Sequence, residues 1–162
     1  MRTQRAELTA LEDRQLPVQA KLAAAWTSFM FLYIYVDYFH LYKPGVIDDI
    51  LAGSVFEFDI SQTLLTAFLT LIAIPSLMVM LSMTLPARAN RTINLIVASL
   101  YVPVSMFNVV GESWTYFYGL SIGLEVLLLA FILRSAWTWP RTSSPSMPEP
   151  AAPHRPQLRM GR

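Results

Sequence analysis

Four long apolar stretches, separated by short polar breaks, dominate the chain, at about residues 21–42, 60–85, 91–110 and 114–139. Each is long enough, at about 1.5 Å per helical residue, to cross about 30 Å of hydrocarbon. The third is the shortest, yet TINLIVASLYVPVSMFNVV runs for about 19 residues without Asp, Glu, Lys or Arg, close to the minimum for a span. The pattern predicts an all-α polytopic membrane protein built as a four-transmembrane-helix bundle. Pro75 and Pro103 fall inside spans two and three. Each removes a backbone donor, which is tolerable where a neighbouring helix satisfies the freed carbonyl.

Between spans one and two, KPGVIDDILAGSVFEFD sets Val46, Ile47, Ile50 and Leu51 at helical spacing, with Asp48 and Asp49 on the other side. This predicts a short outer amphipathic segment that lies on the membrane surface or caps the bundle. Asp59, with Gln62 three residues on, predicts an N-cap for span two. Residues 1–20 form a mixed-charge N-terminal segment ending near Pro17, unlike a cleaved signal peptide. Residues 142–162 are rich in Pro and Ser without an apolar period, and are expected to be a disordered tail.

Composition supports the membrane reading, since 54% of residues are hydrophobic and 14% charged. The chain has no cysteine, which removes disulfides, thiolate metal sites and CxxC redox chemistry. A net charge of +1 with scattered arginines gives no case for nucleic acid as a partner. Arg2, Arg5, Arg14 and Lys21 precede span one, Arg88 and Arg91 fall in the PARANR link, and Arg134 and Arg141 flank the end of span four. In a four-span topology these share one side and only Lys43 lies opposite, so both termini are expected in the cytoplasm. Trp26, Trp137 and Trp139 then fall at the inner interface and Trp114 at the outer one.

Polar residues recur on each span at helical spacing. Span one carries Tyr33, Asp37 and His40; span two Thr63, Thr66 and Thr70; span three Tyr101, Ser105 and Asn108; span four Tyr118, Ser121 and Glu125. Counted from the outer ends, all lie within roughly 17 Å of the outer surface, with Tyr33, Thr70, Tyr101 and Glu125 deepest. The candidate pocket therefore comprises Glu125, Asp37, His40, Tyr33, Tyr101, Asn108, Thr70, Ser105 and Ser121. Small hydroxylated residues also serve as close-packing contacts between membrane helices, and tyrosines such as Tyr38 and Tyr42 as interfacial anchors. Glu125 stands apart, because an acid near the midplane costs at least about 2.5 to 3.5 kcal/mol unless protonated or partnered. His40 has no second intramembrane histidine, and His154 lies in the tail, so no metal site or cofactor is expected.

The runs FLYIYVDYFHLYKPG, IPSLMVMLS, ANRTINLIVA and LEVLLLAFILRSAWTWP occur in the order and spacing of a known family. Over roughly residues 18–141 the chain resembles a family of small four-span bacterial integral membrane proteins known only as a domain of unknown function, the 6326 type. Asp37, Tyr38, Pro44, Gly45, Asn90, Arg91, Asn94, Glu125, Trp137 and Pro140 match its pattern. The Pro-rich tail and His40 depart from it. The resemblance implies a bacterial cytoplasmic membrane and no activity.

Three functions compete on these residues. One is a noncatalytic membrane protein whose outer-half pocket binds or passes a small cation, proton or amphiphile. The second is a structural or accessory subunit whose polar residues only hold helices together. The third is an enzyme acting on lipid or quinone, for which the chain offers no nucleophile, base and orienter set and no nucleotide loop. The lipid bilayer is the expected partner, and a transport role would call for a homo-oligomer because four spans make a narrow bundle.

Overall fold

The computed structural model describes residues 16–107 and 113–140. Residues 1–15, Asn108, Glu112, Arg141 and the 142–162 tail, with the expectations attached to them, lie outside the described residues. Within them the fold is helical, with one very short hairpin: α1 (Val18–His40), α2 (Val46–Leu51), β1 (Ser54–Val55), β2 (Phe58–Asp59), α3 (Gln62–Thr84), α4 (Ala87–Phe107) and α5 (Thr115–Trp137).

The helix ends follow local chemistry. Pro17, in extended conformation, precedes α1, and its carbonyl accepts from Lys21 N at 3.2 Å. After α1 the chain reverses through Lys43-Pro44-Gly45, where Gly45 adopts φ 93°, a left-handed conformation that side chains with a Cβ rarely take. The expected amphipathic segment forms as α2. The hairpin that follows pairs Ser54 with Asp59 and Val55 with Phe58. This corrects the capping expectation: Asp59 is held in the hairpin, and Ser61 caps α3, its side-chain oxygen accepting from Leu64 N at 3.2 Å. Only Leu85 and Pro86 separate α3 from α4. Leu85 is extended, as a residue before proline tends to be, and Arg88 and Arg91 belong to the opening turns of α4 rather than to a link.

Helix α1 packs on both α3 and α5, while α4 packs on α5 and less extensively on α3. The core is concentrated near the Leu85–Pro86 end. There Leu22, Trp26 and Phe29 of α1, Met78 of α3, Ala98 of α4, and Leu129 and Ile132 of α5 are essentially inaccessible. The opposite half is looser, and α3 from Gln62 to Thr70 is exposed or half-buried throughout. Trp26 is thus a core residue, not the interfacial anchor its position suggested. Trp114 and Trp137 are exposed.

Helices α1, α3 and α5, each of 23 residues, are long and apolar enough to cross a membrane. The four spans expected from sequence therefore reduce to three that meet this measure; α4, with Arg88, Asn90, Arg91 and Asn94 in its first two turns, is not among them.

Candidate functional site

The interior stripe of α1 that buries Leu22, Trp26, Phe29 and Tyr33 continues with the same spacing to Asp37 and His40. Opposite it, α5 buries Tyr118, Ser121 and Glu125 on one face, and α4 buries Tyr101 and Ser105. Glu125 retains 2% of its surface accessibility. Its carboxyl faces the Ser105 hydroxyl and lies within electrostatic reach of Asp37. Yet Glu125 Oε2 and Ser105 Oγ are both fully buried, and neither has a partner at hydrogen-bonding geometry. Asp37, one turn beyond Tyr33, is exposed at the open end of this cluster.

The remaining candidates surround this pair or are engaged elsewhere. Ser121 donates to the Tyr118 carbonyl at 3.0 Å, on its own helix. His40 Nδ1 is hydrogen-bonded to the Tyr118 hydroxyl, which joins α1 to α5 at the open end of the cluster. The Phe56 ring of the hairpin loop sits 5.2 Å from the His40 ring, and Lys43 Nζ lies 6.0 Å from the centre of the Tyr118 ring. Tyr33 is buried against Phe29 at 5.7 Å between ring centres. Tyr101 donates to the carbonyl of Leu71 rather than toward Glu125. Thr70 is exposed and donates to the Thr66 carbonyl at 2.8 Å, as Thr66 does to Gln62. A threonine can satisfy its hydroxyl within its own helix, so the Thr63, Thr66 and Thr70 stripe needs no interior partner and does not join the cluster. Asn108 lies outside the described residues.

A second polar cluster, unassigned by sequence reasoning, fills the tightly packed end. Trp26 Nε1 donates to Asn94 Oδ1 at 2.7 Å across α1 and α4. Asn94 Nδ2 donates to Asn90 Oδ1 at 2.7 Å, and Asn90 Nδ2 donates to the Ser82 carbonyl at 2.6 Å. All four residues are fully buried. The available signal was the i, i+4 spacing of Asn90 and Asn94 in ANRTIN, two amides facing one way at the start of an apolar run.

The two clusters differ chemically. The Trp26–Asn94–Asn90–Ser82 network pairs its side-chain groups with one another and so acts as a clamp among α1, α3 and α4. The Glu125 cluster instead sets a buried carboxyl against a buried hydroxyl, with no bond at full hydrogen-bonding geometry to Glu125 Oε2 or Ser105 Oγ. Among the described residues no three His, Cys, Asp or Glu side chains converge as a metal centre would require.

A family model described as a family of unknown function, DUF6326, matches residues 12–145. The chain belongs to that family. The match takes in both the Glu125 cluster and the amide clamp, so both are parts of the DUF6326 region of the chain. No curated protein and no solved structure matches the chain.

Proposed function

We propose that this DUF6326 protein is a four-span helical bundle of the bacterial cytoplasmic membrane, with both termini inside, and that it binds or passes a proton or small cation at Glu125, reached from the outer face past Asp37. The observation that carries the reading is the burial of the Glu125 carboxyl against the Ser105 hydroxyl, with no bond at full hydrogen-bonding geometry to Glu125 Oε2. A structural carboxyl would be expected to have its oxygens satisfied, because an unpaired polar atom in lipid is destabilising. One left open beside a hydroxyl and near a second carboxyl has the makings of a site that is loaded and unloaded.

Three features support the topology. Helix α4 is 21 residues long, close to its neighbours, and packs beside α5. The Leu85–Pro86 connection has no room for an additional element. Arg88, Arg91 and Arg134 gather at one end of the helices while Asp48, Asp49, Glu57 and Asp59 gather at the other, as cytoplasmic positive charge demands.

The amide clamp supports the competing reading, in which polar residues serve only as helix glue. Glu125→Gln separates the two. It preserves size and hydrogen bonding but cannot titrate. In lipid nanodiscs the melting temperature of the wild-type chain should depend on pH between about pH 5 and 9, and Glu125→Gln should flatten that dependence while folding normally. A wild-type protein insensitive to pH, or a glutamine variant that reproduces its full response, would leave the glue reading standing.

A further inference from the structure

An open groove of about 500 Å³ runs between α4 and α5 near the Leu85–Pro86 end, lined by Leu95, Ser99, Leu133, Arg134, Trp137 and Thr138. Leu95 and Ser99 stand four residues apart on α4, and Arg91 lies one turn earlier on the same face. The Arg91 guanidinium lies 5.8 Å from the centre of the Trp137 ring. Its Nε is buried and has no hydrogen-bond partner, so a planar cation with donors to spare is fixed beside the mouth of the groove. Arg134 contributes a second guanidinium from α5. The groove thus has a cationic end, with an aromatic floor at Trp137, and an apolar stem at Leu95 and Leu133.

We propose that this groove holds one anionic phospholipid of the cytoplasmic leaflet, its phosphate between Arg91 and Arg134 and its acyl chain along Leu95, Ser99 and Leu133. The proposal rests on the membrane topology inferred above but not on any role for Glu125. Charge selects the occupant. Two arginines at the inner end of membrane helices attract the anionic lipids of that leaflet, and guanidinium groups match phosphate oxygens two at a time.

Native mass spectrometry of the full chain, with added phosphatidylglycerol or phosphatidylcholine, tests the proposal. The wild type should retain one phosphatidylglycerol per chain in preference to phosphatidylcholine, and inorganic phosphate should not displace it. The double variant Arg91→Gln/Arg134→Gln should bind phosphatidylglycerol about tenfold more weakly and lose the preference. Ser99→Phe, which fills the stem and leaves both arginines in place, should weaken both lipids. Equal binding of the two lipids by wild type, unchanged phosphatidylglycerol binding in the double variant, or displacement by inorganic phosphate would overturn it. Extraction of the chain from membranes by alkaline carbonate would instead overturn the topology on which it rests.

Discussion

The Tyr101 hydroxyl donates to the Leu71 carbonyl, the acceptor that Pro75, four residues further along α3, has no N–H to satisfy. Pro75 is buried, and a side chain from α4 takes the place of the missing donor. The proline and the tyrosine therefore form one unit across two helices.

Their coupling is measurable. Tyr101→Phe should destabilise the wild-type protein by about 1 kcal/mol, since it orphans a part-buried carbonyl. In a Pro75→Ala background, where alanine restores the N–H, the same change should have a much smaller effect. A double-mutant cycle by thermal or denaturant unfolding in detergent checks this, and additive effects would contradict the coupling.

The amide clamp should be the most sensitive polar feature of the protein. Asn94→Leu removes the acceptor of Trp26 and the donor to Asn90, leaving buried groups on two helices without partners. A loss of about 2 to 3 kcal/mol is expected, well above that of a single exposed polar change. Comparison with Thr70→Val, whose hydroxyl is bonded only within its own helix and should matter little, provides the scale.

Orientation can be read with single cysteines, because the native chain has none. Ala52→Cys, just after α2, should react with a membrane-impermeant thiol reagent on intact cells, and Ala87→Cys, at the start of α4, should not. The reverse pattern would invert the topology, and labelling of both would remove a span.

Access to the Glu125 cluster should come from the outer side alone. Asp37 is exposed at its open end, whereas Trp26, Ala98, Leu129 and Ile132 close the other. Asp37→Cys should therefore react with a small cationic thiol reagent applied outside and not inside, and Ala98→Cys with neither. Reaction of Ala98→Cys from the inner side would show a path through the packed end.

Much of this arrangement was legible in the spacing of residues. Periods of three and four residues placed Tyr33, Asp37 and His40 on one face of α1 and Tyr118, Ser121 and Glu125 on one face of α5; in the structure the three on α5 are all buried, while on α1 Tyr33 is buried, His40 half-buried and Asp37 exposed. Spacing along one helix says nothing about its rotation against the next. It could not show that the Thr70 face turns away, that Tyr101 is committed to Leu71, or that Ser105 is the hydroxyl facing Glu125. Trp26 was misread for a related reason: tryptophan near a span end favours the interface in general, but here the indole packs in the core and Asn94 satisfies its N–H.

The central claim is that Glu125 exchanges a proton or small cation, and infrared difference spectroscopy on the protein in lipid reads its carboxyl directly. Stepping the pH between about 5 and 9 should produce paired carboxylic acid and carboxylate bands in wild type that are missing from Glu125→Gln and altered in Ser105→Ala. Carboxyl bands that persist unchanged in Glu125→Gln, or a wild-type spectrum with none, would contradict it.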